Sequence, residues 1–385
     1  MTRRARWLLW GGLFVAAVCA AFVRWQFGRD LESATARAAQ GSEVLTTRCG
    51  PIEAQQAGAG LPLLMVHGSG GGHDQGMDWA RPLARQGMRV IAMSRFGYLR
   101  TPRPADASPE AQADAHVCLL DALGIGKAAV VGVSAGAASA LQMALRHPDR
   151  ISALVMVVPI AWKPGSVVDS APPVSDEKDA WLLRLLGSDF LYWTGLWVAR
   201  DPVFRHVLAT PPELIHAASL QEQARVNAMA DRVLPVSQRA LGLRDDTRLG
   251  KHLGAAALET IQVPTLVISA RDDGFGTYAG AEYSASRIPG ARFIGYDDGG
   301  HLLVGRDEAV RDAIVGWLRS TNPPGGACRG DLDQVGSRGG RRAAGRLRVP
   351  VRLRCLALER RHTRPDGTAR GGAARRATVA LRRRA

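Results

Sequence analysis

The chain has 385 residues, 46% of them apolar, which is ample for a sizeable buried core and too apolar for a disordered protein. The formal net charge of +15 points to nucleic acid only until the charge is located. Residues 321–385 hold 17 arginines, no lysine and four acidic residues, so the rest of the chain is close to neutral and no nucleic-acid partner is expected. In chain order, Arg3, Arg4 and Arg6 precede Trp7–Val23, a run without a charge that is closed by Arg24. Its 17 residues reach the lower limit for a bilayer-spanning helix, and Trp7, Trp10 and Trp25 suit the two interfaces. Residues 1–24 therefore read as a membrane anchor, with the positive-inside rule placing Met1 in the cytoplasm and the body outside it. The alternative is a signal peptide cleaved near Val18-Cys19-Ala20, which leaves a secreted protein; bulky Val18 argues against a lipoprotein site at Cys19. Residues 25–41, polar and Ala-rich, read as a stalk or short helix. Of the five cysteines, Cys19 lies in the apolar run and Cys328 and Cys355 in the basic tail, leaving Cys49 and Cys118 as one candidate pair in an oxidising compartment, which is no disulfide framework.

The core begins with a weak hairpin, Glu43–Arg48 and Pro51–Gln56. Leu61–Val66 is a continuous apolar run of the kind buried in a parallel sheet. It ends in His67-Gly68-Ser69-Gly70-Gly71-Gly72. A helix around Met77–Gln86, a strand at Met88–Met93 and an Arg/Pro/Gly loop follow. Ser108-Pro109 starts a helix with a cap residue and proline at its first position, running to Leu123. Ala128–Val133 is the next strand, then come a helix from Gly136 and a strand at Ile151–Val158. Strands alternating with helices of this length imply right-handed βαβ units. The alternation stops at Pro159. Residues 159–260 read as an inserted cap of helices (Trp181–Leu186, Phe190–Ala199, Pro212–Ala230, Val233–Leu241), whose aromatics Trp181, Phe190, Tyr192, Trp193, Trp197 and Phe204 read as cap core. The core resumes over 261–320 with strands at Val263–Ser269 and Ala291–Tyr296 and a helix at Asp307–Arg319. Residues 321–385 lack periodicity and read as a disordered or aberrant tail.

The chemistry centres on Gly132-Val133-Ser134-Ala135-Gly136. A serine at a strand-to-helix turn is held out in the open, and glycines two residues either side avoid collisions with neighbouring backbone. A serine hydroxyl is a weak nucleophile and needs a base with its own orienting acid. In an open sheet these lie at the carboxyl ends of later strands. Ala270-Arg271-Asp272-Asp273 follows one such strand, and Asp297-Asp298-Gly299-Gly300-His301 follows the last. The order is thus Ser134, Asp272 or Asp273, His301. The Ser69 amide in the first glycine loop and the Ala135 amide beside the serine are the expected oxyanion donors, and His67 reads as a structural hydrogen bonder in the supporting turn with Gly68, Gly132 and Gly136. The glycine run lacks G-K-[ST], so it is not read as a phosphate loop, and neither C-x-x-C nor H-E-x-x-H supports a metal.

From about Ser42 to Arg319 the chain resembles the α/β-hydrolase superfamily, in particular capped members with His-Gly-x-Gly-Gly before the first helix and Gly-Gly-His near the end. The resemblance implies an eight-stranded, mostly parallel sheet with a helical cap after strand 6. It implies a triad on Ser134, Asp273 and His301 and no cofactor. The acid falls on Asp273 by counting three from the residue that is glycine in relatives and Ala270 here; Asp272 stays the alternative acid. The serine disfavours aspartate-nucleophile relatives. The expected activity is hydrolysis of a small or medium hydrophobic ester, thioester or lactone through an acyl-enzyme. The alternatives are C–C bond hydrolysis or haloperoxidase-like chemistry on the same parts, or an inactive binding module at the membrane.

Overall fold

In a computed structural model, which describes residues 2–165 and 187–322, the apolar runs become the strands of one sheet. The strands are β1 (Glu43–Thr47), β2 (Gly50–Ala57), β3 (Leu61–Val66), β4 (Met88–Met93), β5 (Ala128–Val133), β6 (Ile151–Val157), β7 (Thr265–Ala270) and β8 (Arg292–Tyr296). Their spatial order is β1-β2-β4-β3-β5-β6-β7-β8. The β1–β2 and β2–β4 pairs are antiparallel, and every pair from β4 to β8 is parallel. Neighbouring residues on a strand face opposite sides, and both sides are covered. Leu64, Val66, Ile91, Met93 and Val130 enter one core cluster, under α3 (Pro109–Ala122) and α4 (Gly136–Arg146). Leu63, Met65, Val90, Ala92 and Val131 enter the other, with α2 (His73–Ala84) and the last helix. Burial on both faces is why these strands are apolar without alternation.

The Ser108 hydroxyl caps α3 by accepting the Ala111 amide at 3.2 Å, with Pro109 at the first helical position. The second helix begins at His73, four residues ahead of Met77. There the His73 amide donates to Ser94 Oγ at 3.1 Å.

Between β6 and β7 lie α5 (Asp189–Val198), two short turns (Arg200–Pro202, Val203–Val207), α6 (Pro212–Ala217), α7 (Leu220–Asp231) and α8 (Ala240–His252). The helix expected over Trp181–Leu186 lies outside the described residues. The single helix expected over Pro212–Ala230 is two, because Ser219 leaves the helical region and its hydroxyl accepts the Glu222 amide at 3.3 Å, starting α7 afresh. The helix expected over Val233–Leu241 does not form. Pro235 has no amide to donate and bars Leu234 from helical geometry, so the chain turns and α8 starts at Ala240. Trp193 and Phe204 are buried in the cap, whereas Phe190 and Trp197 are exposed. After β7 come α9 (Thr277–Arg287), β8 and α10 (Asp307–Thr321).

The N-terminal segment is one helix, α1 (Arg3–Ala39), of 37 residues. Its apolar part is exposed, and it is long and apolar enough to cross a membrane by length and composition. Where composition suggests a separate stalk, the helix continues and lies on the body. Ala34 and Ala38 are buried, and the Ala38 carbonyl meets His73 Nε2 at 2.8 Å.

Cys49 and Cys118 form a disulfide, tying the β1–β2 turn to α3 across a separation of 69 residues. Closing so long a loop removes much of the unfolded chain's freedom. Changing exposed Cys49 to serine should lower unfolding free energy by about 2–4 kcal/mol in a urea titration, with reductant abolishing the difference from the parent protein.

Candidate active site

Beta5 ends at Val133 and the chain reverses at Ser134, whose φ of 51° is left-handed. That conformation costs a side-chain-bearing residue roughly 1–2 kcal/mol. Backbone bonds hold it: the Ser134 amide donates to Val157 O at 2.9 Å, and the Ser134 carbonyl accepts the amides of Ala137 and Ile160, each at 3.1 Å. At about 1 kcal/mol each, these bonds offset the strain. Gly136 is compulsory for space: a Cβ there would stand 2.4 Å from His67 O and 2.6 Å from Val66 O. A Cβ on Gly132 would likewise meet Ala137 Cα at 2.7 Å, and one on Gly68 would press on Ser134 Cβ at 3.0 Å. The turn therefore seats the first glycine loop directly against the serine.

His301 and Asp273, 28 residues apart, arrive from the ends of β8 and β7. His301 Nε2 lies 2.9 Å from Ser134 Oγ and Nδ1 lies 2.7 Å from Asp273 Oδ2. The Asp273 side chain is fully buried; Oδ1 accepts the Phe275 amide at 2.8 Å and Oδ2 the Thr277 hydroxyl at 2.5 Å. Thr277 in turn meets Ser269 Oγ at 3.1 Å. The neighbouring Asp272 faces elsewhere. Its carboxylate accepts the amides of Gly300 at 2.8 Å and Gly299 at 3.2 Å, so it holds the loop carrying His301 without touching the imidazole. The Phe275 ring stands edge-on to His301 at 4.7 Å.

The cap reaches into these loops. The carbonyl of Ala209 accepts the amides of Gly274 at 3.0 Å and His301 at 3.3 Å, and Thr210 Oγ1 accepts the Leu302 amide at 3.1 Å. On the other side, Asp246 of α8 takes Arg95 through both carboxylate oxygens (2.8 and 2.5 Å), Tyr98 OH at 2.5 Å and Ser69 Oγ at 2.9 Å. Arg239, fully buried, bonds Asp74 at 2.8 Å and the Gly71 carbonyl at 2.5 Å. Two cap ion pairs thus brace the glycine loop that bears Ser69. Tyr98 is held protonated, its pKa pushed well up by burial and then by the Asp246 charge.

His67 is buried with Nδ1 2.7 Å from Gly68 O and Nε2 accepting the Arg95 amide at 3.0 Å, an arrangement that fixes one neutral tautomer. Burial, and then the Arg95 charge, push its pKa well below the usual histidine range. Among the described residues no three His, Cys, Asp or Glu side chains gather to hold a metal ion. A cavity of about 320 Å³ lies between α8 and the core, lined by Arg95, Arg103, Ala135, Ala138, Asp245 and Leu249 among others. A smaller one of about 50 Å³ is lined by His67, Gly68, Trp79, Val158, Met229 and His301 among others.

The profile of the family described as alpha/beta hydrolase fold matches residues 62–305. The chain belongs to the α/β-hydrolase family. Among relatives of this α/β hydrolase, the 2-hydroxymuconate semialdehyde hydrolase of Pseudomonas sp. (strain CF600) is 42% identical over 105 residues, 26% of this chain and 37% of the relative. A protein of the same name from Pseudomonas putida is 37% identical over 127 residues. The matched segments span 37% and 43% of those two relatives. The uncharacterized hydrolase YcgS of Bacillus subtilis is 26% identical over 294 residues, 72% of this chain and 98% of the relative. Among solved structures, an alpha/beta hydrolase fold protein from Nakamurella multipartita superposes with a TM-score of 0.54 at 27% identity, covering 72% of this chain and 99% of that one.

The braces on Ser69 had no local signal, since Asp246 stands 177 residues downstream of Ser69 in an unremarkable helical stretch. The pair is nearly buried on both sides, so removing one partner leaves an uncompensated charge. Asp246→Ala should lower unfolding free energy by about 3–5 kcal/mol, measured by chemical denaturation, and Asp246→Asn, which keeps an acceptor for Arg95, should lose less.

Proposed function

We propose that the protein is a serine hydrolase that cleaves a small or medium hydrophobic carboxylic ester through an acyl-enzyme. The observation that carries this reading is the unbroken hydrogen-bonded line from Asp273 through His301 to Ser134, at 2.7 and 2.9 Å. In the mechanism, His301 Nε2 takes the Ser134 proton as the serine oxygen attacks the carbonyl carbon. Asp273 fixes the tautomer and steadies the imidazolium. The amides of Ser69 and Ala135 receive the oxyanion, and each such donor is worth roughly 3–4 kcal/mol to the transition state. His301 then protonates the leaving alcohol, and a water activated by the same nitrogen releases the acid. The family's relatives are hydrolases, and no cofactor takes part in this sequence of steps.

The cavity beside Ala135 bears on the substrate. Two of its arginines are already engaged by aspartates, Arg95 by Asp246 at 2.5 Å and Arg103 by Asp245 at 2.7 Å. Paired guanidiniums favour an uncharged substrate over one with several carboxylates. The second reading is hydrolysis of a carbon–carbon bond beside a ketone, favoured by the similarity to the two 2-hydroxymuconate semialdehyde hydrolases. The same nucleophile and oxyanion donors serve both.

As to place, α1 reads as the anchor of a body outside the cytoplasm. The three arginines ahead of its apolar run support that orientation, and so does the Cys49–Cys118 disulfide, a bond typical of oxidising compartments.

A panel of p-nitrophenyl esters of graded chain length, run beside a ring-cleavage dienoate, tests the substrate reading. Turnover of the esters and none of the dienoate is expected, and the reverse preference would select the carbon–carbon reading. Ser134→Ala should abolish both turnover and labelling by a fluorophosphonate probe with the fold intact; retained labelling would move the nucleophile elsewhere. Asp273→Asn should cut kcat by about 10³–10⁴, because His301 would then present the wrong nitrogen. Asp272→Asn should lose far less, because it acts only on the loop amides, and steady-state kinetics of the two variants decide between them.

A further inference from the structure

The cap helix α5 has no polar side to show to water. After Asp189 it reads Phe-Leu-Tyr-Trp-Thr-Gly-Leu-Trp-Val, without a charge. Trp193 and Leu196 are buried in the cap's apolar cluster. The outer side is apolar as well, with Phe190 44%, Leu191 43%, Trp197 57% and Val198 71% exposed. Positions seven apart on a helix superpose, so Phe190 with Trp197 and Leu191 with Val198 form one stripe two turns long. A helix apolar all round is suited to a protein interior or a bilayer, not to water.

Its place relative to α1 selects the bilayer. Val23, the last residue of the apolar run, packs against the same cap cluster as Trp193 and Leu196. One turn further on, the Phe27 ring meets Phe190 at 5.3 Å and Trp193 at 5.6 Å, both edge-on. Trp193 Nε1 then donates to Asp30 at 2.9 Å. A rise of 1.5 Å per residue puts Phe27 about 6 Å beyond Val23, and the headgroup layer is about 5–7 Å thick on each side of the hydrocarbon. The helix carries an interfacial pair at this height too, with the Arg29 guanidinium 4.8 Å from the centre of the exposed Trp25 ring. Alpha1 cannot pivot freely, because Ala34 and Ala38 are buried and Ala38 is bonded to His73. The height of α5 above the apolar run is therefore built into the fold.

We propose that the Phe190–Leu191–Trp197–Val198 face of α5 is a second membrane contact, seated in the headgroup layer of the bilayer that α1 crosses. The proposal rests on the reading of α1 as an anchor. It makes the protein bitopic and surface-docked at once, with the cap lying against the lipid. The full-length chain, with Cys19, Cys328 and Cys355 changed to serine, carries a fluorescent label at Val198→Cys, at Leu191→Cys, or at exposed Lys127→Cys, ahead of the amino-terminal end of the central strand β5. Reconstituted singly into phospholipid nanodiscs containing lipid with a shallow nitroxide, the labels at 198 and 191 should be quenched at least roughly threefold more than the label at 127. Equal quenching at all three positions in a chain that resists carbonate extraction from membranes leaves the anchor standing and overturns the docking. A blue-shifted but unquenched label at 198 means that residues 166–186 or a second copy cover α5, which also overturns it. Release of the chain by carbonate removes the anchor and the docking together.

Discussion

Ser134 at φ 51° is the constraint from which the other parts of the site take their positions. A left-handed serine at the end of β5 aims its hydroxyl away from the sheet, and the crowding at Gly132 and Gly136 lets no side chain intervene. Because β5 lies between β3 and β6, the glycine loop after β3 falls on one side of the hydroxyl. The loops after β7 and β8 fall on the other. The strain is offset by the three backbone hydrogen bonds of the Ser134 amide and carbonyl, at about 1 kcal/mol each.

The acidic residues divide the work by burial and by angle. Asp273 and Asp272 are adjacent, yet one carboxylate serves the imidazole and the other serves two glycine amides. Both stand in the turn that follows β7, where one carboxylate reaches the imidazole and the other the loop on which it rides. Asp246 does a comparable job for the first glycine loop from the cap, at a distance that only the folded chain closes.

Much of this was legible in the residues. Beta3 to β8 stand out as apolar runs bounded by glycine, proline and charge, and the order of serine, aspartate and histidine followed from strand ends alone. The weaker readings have physical causes. The break at Ser219 was hidden because apolar residues recur at helical spacing on both sides of it, although Ser219 and Glu222 have capping-box spacing. Pro235 carried a warning against Val233–Leu241 that the surrounding helix formers masked. The continuity of α1 was obscured by its change from apolar to polar composition: hydropathy reports what surrounds a helix, not where the helix stops. Asp246, Arg239 and Ala209 act through tertiary contacts, which no local pattern encodes.

The Ala209 carbonyl gives the cap an unexpected mechanical character. It grips the amides of Gly274 and His301 together, and Thr210 grips Leu302 beside them. A hinged flap swinging from this side would dismantle the very loops it was meant to uncover. The cap is a keystone here, pinned to the loops after β7 and β8 rather than hinged over them.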